Sequence, residues 1–348
     1  MRRTALLLMP FLVAVTAAAQ GRVEVTRNDL ANRVDIAIDG KPFTSYIWSA
    51  TLKKPVLYPL RTANGTVVTR GFPLDPRKGE RVDHPHHVGV WFNHGDVNGF
   101  DFWNNSDVIA QDRVPKMGTI HHRRIVDAKS GVARGELTVE TDWTDGIGKV
   151  LLRELTHFVF RGTGDARSID RMTTLTALHR VVFRDNKEGM LGMRVARPLE
   201  QPTEKPDIFT DSAGKPTTVP VLDNAGVTGR YVSSEGKSGD AVWGTRGRWA
   251  LLGGTLPAGT AESEPVTIAI LDHPSNPGYP THWHARGYGL FSANSLGQKS
   301  LNDGDVELNL MLDQGAKATF RYRILILSSP PNANRIDAEW QAFSKESS

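Results

Sequence analysis

Short segments rich in Val, Ile, Thr and aromatic residues recur through most of this chain, each bounded by Gly, Asn, Asp or Pro. β-branched and aromatic side chains fit a pleated, half-buried surface, and the intervening residues are those that turn a backbone. The pattern predicts strands at 33–38, 118–126, 135–143, 149–160, 168–175, 190–196, 248–253, 265–271, 306–312 and 318–327. Several alternate cleanly. In one, Leu137, Val139, Thr141 and Trp143 share a side and Thr138, Glu140 and Asp142 take the other. That period of two is what a sheet with one buried face requires. Long strands in succession point to two large stacked antiparallel sheets, an all-β sandwich. One helix is expected at the C-terminal end, with Asn334 as its cap and Ile336, Trp340 and Phe343 forming an apolar stripe.

The 348 residues are enough for one large sandwich or two smaller domains. The absence of any internal repeat favours one, spanning 20–348, with the Pro-, Thr-, Asp- and Lys-rich stretch near 198–229 as a long loop or insertion. Residues 1–19 read as a cleavable signal peptide. Arg2 and Arg3 precede a short apolar run, and Ala17-Ala18-Ala19 before Gln20 suits signal peptidase. A periplasmic or secreted protein is therefore expected. Without Arg2 and Arg3 the formal charge falls from +4 to +2, too small a surplus for nucleic-acid binding. No later segment is apolar and long enough for a stable membrane helix. The sequence is silent on oligomeric state.

Cysteine is absent, which excludes thiol nucleophiles, disulfides and Cys-based metal sites. The 11 histidines then carry most of the chemical information, and seven of them fall in two aromatic-rich segments. The first, 83–104, holds His84, His86, His87 and His94 with Trp91, Trp103, Asp83, Asp96 and Asp101. On an extended backbone His84 and His86 point one way and His87 the other. The second, 271–297, begins Asp272-His273-Pro274, echoing Asp83-His84-Pro85. It then places His282, His284, Arg286 and Tyr288 on one strand face, with Trp283 between. A third, 185–198, contributes Lys187, Glu188 and Arg194. Glu154, inside an apolar strand, is either a further acid or an outward-facing residue. Ionisable groups among aromatic rings suit a sugar, whose CH face stacks while its hydroxyls hydrogen-bond.

Acid–base chemistry is expected from one of His84, His86, His282 or His284, with Glu188 or Asp272 in the complementary role. Trp91 and Trp283 are candidate stacking surfaces, and Lys187, Arg194 and Arg286 candidate clamps for a uronate or an enolate. His87, His94, Asp96, Trp103 and Tyr288 complete the expected substrate contacts. No cofactor is required by any motif, but His84, His86, His282 and His284 are also candidate ligands for a divalent metal. The His84-x-His86 pair lacks the nearby Glu of a cupin, since Val88-Gly89-Val90-Trp91 follow instead. Nucleophile-elbow, P-loop, dinucleotide-binding and His-Glu-x-x-His motifs are missing.

The run Asp83-His84-Pro85-His86-His87 through Trp91-Phe92, His94-Gly95-Asp96-Val97-Asn98-Gly99 and Asp101-Phe102-Trp103 resembles the signature of the bacterial PmoA-like family. The Lys187-Glu188-Gly189 turn and the Asp272-His273-Pro274 to Trp283-His284 segment extend that likeness over nearly the whole mature chain. The family's label, methane oxygenase, does not fit. Genuine particulate methane monooxygenase subunits are built of membrane-spanning helices, which this sequence lacks. The resemblance implies an exported protein with carbohydrate as ligand class, a sugar or oligosaccharide, and supplies no established catalytic residues. The expected architecture is a supersandwich like that of sugar mutarotases and some polysaccharide lyase domains. Three functions remain open on these residues: a hydrolase or lyase, an aldose 1-epimerase-like mutarotase, and a non-catalytic glycan-binding module.

Overall fold

A computed structural model describes residues 21–220, 222–257 and 263–346; the expected leader at 1–19 lies outside them. Two large antiparallel sheets pack face to face. The first runs, strand by hydrogen-bonded strand, His282–Arg286, Leu290–Asn294, Gly189–Arg194, Val90–His94, Val56–Leu57, Lys41–Ile47, Arg33–Ile38, Arg22–Asn28 and Gly131–Val132. The second runs Arg230–Ser233, Trp249–Leu256, Glu264–Asp272, Lys317–Leu327, Ala166–Ala177, Val150–Thr163, Gly135–Thr144 and Thr119–Lys129. A small pair, Val181–Phe183 with Leu310–Leu312, stands apart. The protein is thus a β-sandwich, as the alternation predicts.

Local chemistry sets the register. Asp39 and Gly40, both at positive φ, join Arg33–Ile38 to Lys41–Ile47 as a two-residue hairpin with Ile38 opposite Lys41. Inward residues of the two sheets, among them Ile36, Phe92, Leu191, Trp283, Phe158 and Ile324, form one continuous core. Glu154 also points into it and faces neither solvent nor the histidine-rich segments. Its carboxylate accepts bonds from Arg171 at 2.7 Å, Trp143 Nε1 at 2.7 Å and Thr156 at 2.5 Å, which is how a buried charge is tolerated. The predicted strand at 306–312 shrinks to Leu310–Leu312.

Outside the second sheet, a helix over Ala333–Phe343 lays Ile336 and Phe343 on Trp249, Leu271 and Leu325. Its cap is Asn332 rather than Asn334, since the Asn332 side chain accepts from the Arg335 amide. A four-residue helix occupies Gln298–Leu301. Residues 200–229 add no strand to either sheet among those described. That stretch is fastened by Arg81, which donates to Glu200 at 2.6 Å and pairs with Asp207.

Candidate functional site

The segment 83–87 is a turn, which corrects the extended reading of His84 and His86. The His87 amide donates to the His84 carbonyl at 3.0 Å, and His84 sits in the left-handed region at φ 44°. That conformation costs a residue with a Cβ of order 1 kcal/mol or more and persists only where surroundings fix it. Arg70, only 1% exposed, does the fixing: its guanidinium donates to the carbonyls of Asp83 and His84 at 2.8 and 2.9 Å. The Asp83 carboxylate in turn accepts from Arg70, from fully buried Arg194 and from His84 Nδ1, at 2.6, 2.6 and 2.8 Å.

Turning the chain gathers all three imidazoles instead of dividing them. The rings of Tyr288, His84, His87 and Trp91 lie nearly parallel in one column, successive centroids 5.2, 4.8 and 5.0 Å apart. His86 meets His87 edge-on at 4.3 Å. Burial drives the imidazoles of His86 and His87 strongly toward the neutral form, and the neighbouring cations add to this. Trp103 Nε1 donates to His87 Nε2 at 3.1 Å. The His84 side chain, 41% exposed, is the member of the column open to solvent, and with Nδ1 held by Asp83 its Nε2 is left outward.

The column stands on the outer face of the first sheet. Pairing aligns Trp91, Gly192, Ser292 and His284 across four strands, while Phe92, Leu191, Ala293 and Trp283 form the adjacent row facing the core. Gly192 has a steric purpose. A Cβ there would lie 2.5 Å from Trp91 Cε2, so only glycine lets the indole lie across the sheet. Gly192→Ala is expected to cost about 1–3 kcal/mol and to disturb the ring column, read from a denaturation curve and tryptophan fluorescence. An unchanged midpoint and spectrum would contradict it.

Glu188 enters this face from the turn before Gly189–Arg194. Its amide donates to Asn186 Oδ1 at 2.9 Å and its carbonyl accepts from the Gly95 amide at 2.7 Å, so the backbone is fixed while the carboxylate is not. The nearest partners of that carboxylate are Lys187 Nζ at 3.6 Å and His284 Nδ1 at 3.8 Å, both beyond hydrogen-bond range. Burial raises the Glu188 carboxyl above its ordinary value, against the opposing pull of Lys187. Its side chain stays 18% exposed. His284 is pushed down to about 3, by burial first and then by Arg286 and Lys187. Arg286 donates to its Nε2 at 3.3 Å, which leaves Nδ1 as the protonated nitrogen, buried without a hydrogen-bond partner. His84 lies within electrostatic reach of both Glu188 and His284. The three segments singled out in the sequence therefore meet here.

The profile of a family of unknown function, DUF6807, matches residues 33–341. The chain belongs to this family. No curated protein matches the chain. Similar solved structures include the Slr1438 protein of Synechocystis sp. PCC 6803, at 11% identity and TM-score 0.30, covering 92% of this chain and all of that one. Another is the galactose 1-epimerase of Lactobacillus acidophilus NCFM, at 11% identity and TM-score 0.37, covering 89% and 99%. A third is the galactosidase domain of the α-galactosidase–sucrose kinase AgaSK, at 9% identity and TM-score 0.39, covering 88% of this chain and 42% of that one. Such TM-scores are too low for the likeness to bear on what this DUF6807 chain does.

Within this DUF6807 member, several expected site residues lie elsewhere or play other parts. Trp91, Trp103 and Trp283 are fully buried, so none offers a stacking face: the first two floor the column and Trp283 faces the opposite side, into the core. Asp272 ends a strand of the second sheet, where it accepts from Asn276 at 2.7 Å and the Thr281 amide at 2.8 Å; burial pushes its carboxyl up to about 7. His282 shares the face of His284 but bonds Asp305 at 2.7 Å. His94 is buried against the Arg184 carbonyl, and Asp96 accepts from the Gly99 amide in a turn. Among the described residues no three His, Asp or Glu side chains converge as a metal site would need, so the four candidate metal-binding histidines do not form one set. Arg286 lies over the Trp243 ring at 4.7 Å, and Lys187 is exposed. Two buried cations escaped the sequence reading: Arg70, and Lys54, whose Nζ donates to the His86 carbonyl at 2.9 Å. Lys54 is pushed down to about 7 by burial.

Proposed function

We propose that this protein is an acid–base enzyme acting on a sugar, with Glu188 as base and His84 as acid in the opening of a sugar ring at its anomeric carbon. The observation that carries the reading is the Glu188 carboxylate, without a close hydrogen bond, flanked by Lys187 and neutral His284 on the face where His84 opens to solvent. Glycoside hydrolysis ordinarily uses two free carboxyl groups flanking the bond. Here Asp83 is held by two arginines, and Asp101 accepts from the amides of Trp103 and Asn104 at 2.9 Å. One loosely paired carboxylate with one imidazole suits proton relay on a single ring better. Glu188 takes the proton of the anomeric hydroxyl while His84 gives one to the ring oxygen. The C–O bond of the ring opens to the aldehyde, and closure on the other face returns both protons. His284 Nδ1, 3.8 Å from the Glu188 carboxylate, is the nearest imidazole nitrogen to it, and Tyr288 stacks on the His84 ring.

Polarimetry of freshly dissolved α-glucose and α-galactose is the test. A rate above buffer is expected, and a rate equal to buffer for both sugars removes the epimerase reading. Ultraviolet detection of unsaturated products from uronate polymers reports elimination as the competing outcome. Because Glu188 must be ionised to act, activity should rise with pH through a value above the ordinary glutamate pKa of about 4.3. An acid limb centred at or below that value would contradict the assignment. The leader read at 1–19 would place this reaction outside the cytoplasm, which N-terminal sequencing of protein recovered from periplasm or medium would check.

A further inference from the structure

Away from the ring column, three depressions share lining residues with one another. A notch of about 20 Å³ between Lys54, Pro85, His86 and Asn105 opens on the far side of the histidine turn. Sharing Lys53 and Asn105 with it is a hollow of about 410 Å³, edged by Asp107, Gln111, Thr144 and His121. A second hollow, of about 380 Å³, shares Lys53, Thr119 and His121 and ends on Trp48 and His122. These volumes are of the size that holds small ligands. The Trp48 hollow lies between 48–55 and the strand start at 119–122, and the larger one between 105–117 and 144–148.

Among the described residues, half-buried Trp48 is the one tryptophan lining this track. Its ring lies on that of His122, centroids 4.2 Å apart and planes 25° from parallel. Its amide is tied to the Asn32 carbonyl at 3.1 Å, and His122 Nδ1 is held by the Tyr46 hydroxyl at 3.1 Å. The platform is therefore rigid. Burial lowers His122 to about 4, so the shelf is uncharged at neutral pH. Along the rest of the track, Lys53 is paired with Asp107 at 2.5 Å and Asp145 accepts the amides of Ile147 and Lys149. What remains to meet a ligand is the aromatic shelf, the Gln111 amide and the Ser106 hydroxyl beside apolar Ile109, Val114 and Met117, with no large excess of either charge. That is the chemistry of a neutral saccharide chain, which alternates apolar CH faces with hydroxyls.

We propose that the two large hollows form a glycan-binding groove that takes a neutral saccharide chain with one unit on Trp48. The proposal rests on the sugar reading of the Glu188 site for its ligand class and adds a second place where a longer saccharide is held. Titration calorimetry with cello-, malto-, xylo- and galacto-oligosaccharides, from monosaccharide to hexasaccharide, tests it alongside turnover of each. In at least one series affinity should rise with length, and Trp48→Ala should remove roughly tenfold of that rise, the worth of one aromatic platform. Monosaccharide affinity and turnover should stay unchanged, and Trp48→Phe should keep most of the gain. No length dependence in any series, or a rise that survives Trp48→Ala, overturns the groove. Turnover of monosaccharides without length dependence rejects the groove and leaves the Glu188 reading standing. Length-dependent binding lost in Trp48→Ala, in a protein that turns over no sugar, keeps the groove and rejects the catalytic reading.

Discussion

Replacing Glu188 with glutamine is expected to lower sugar turnover by roughly 10²–10⁴-fold, the usual worth of one positioned acid–base group. The same substitution should leave the fold intact or strengthen it. Burial raises the carboxyl above its ordinary value, so the ionised form is disfavoured in the native state relative to the unfolded chain. For a group shifted this way the native advantage exists at low pH and is lost as pH rises through the native pKa. At neutral pH a neutral amide of the same shape removes that penalty, and the melting temperature should hold or increase. Loss of stability without loss of activity would reverse the assignment and make Glu188 a structural residue. The combination of higher stability with lost activity is the signature of a group kept for chemistry.

Removing Asp83 should do the opposite. Arg70 and Arg194, 1% and 0% exposed, share its carboxylate, and Asp83→Ala leaves two buried guanidinium groups without their common counter-charge. Breaking a buried pair in this way costs about 3–5 kcal/mol. The melting point should fall by at least about 5 °C, and a fall under a degree would contradict the account. Burial by itself would raise the Asp83 carboxyl, but Arg194, the His84 hydrogen bond and Arg70 outweigh it and hold it well below the carboxylate range. Its contribution is therefore complete above the unfolded aspartate pKa of about 3.9 and drains away as pH falls below that. In acid the wild type should lose stability with a steeper slope than Asp83→Asn. Asp83→Ala also removes the partner of His84 Nδ1, so activity falls with it.

The sandwich was legible because alternation is a direct image of burial: Leu137, Val139, Thr141 and Trp143 face inward as their spacing requires. The convergence of 83–87, Glu188 and His284 was legible only as shared vocabulary. The turn at His84 was not, because a period of two presumes extended backbone, while the turn is imposed by Arg70, 13 residues earlier. Nothing in the neighbourhood of Arg70 marks it. Trp283 on the core side follows from its place between His282 and His284, yet the burial of Trp91 depends on Trp103 folding back over it, a contact no local pattern encodes. Asp272 misleads for a related reason: its Asp-His-Pro echo of Asp83 is a likeness of turns, and the two turns belong to different sheets.

Strands 90–94, 189–194 and 282–286 carry two interleaved messages on alternate positions of each strand. Phe92, Leu191 and Trp283 answer to the sandwich interior, whereas Trp91, Gly192 and His284 answer to the outer surface. Each set can therefore drift under its own selection. A lineage could exchange the chemistry of the outer rows while inheriting the interior unchanged, and heat tolerance could be bred into the interior rows without touching the substrate.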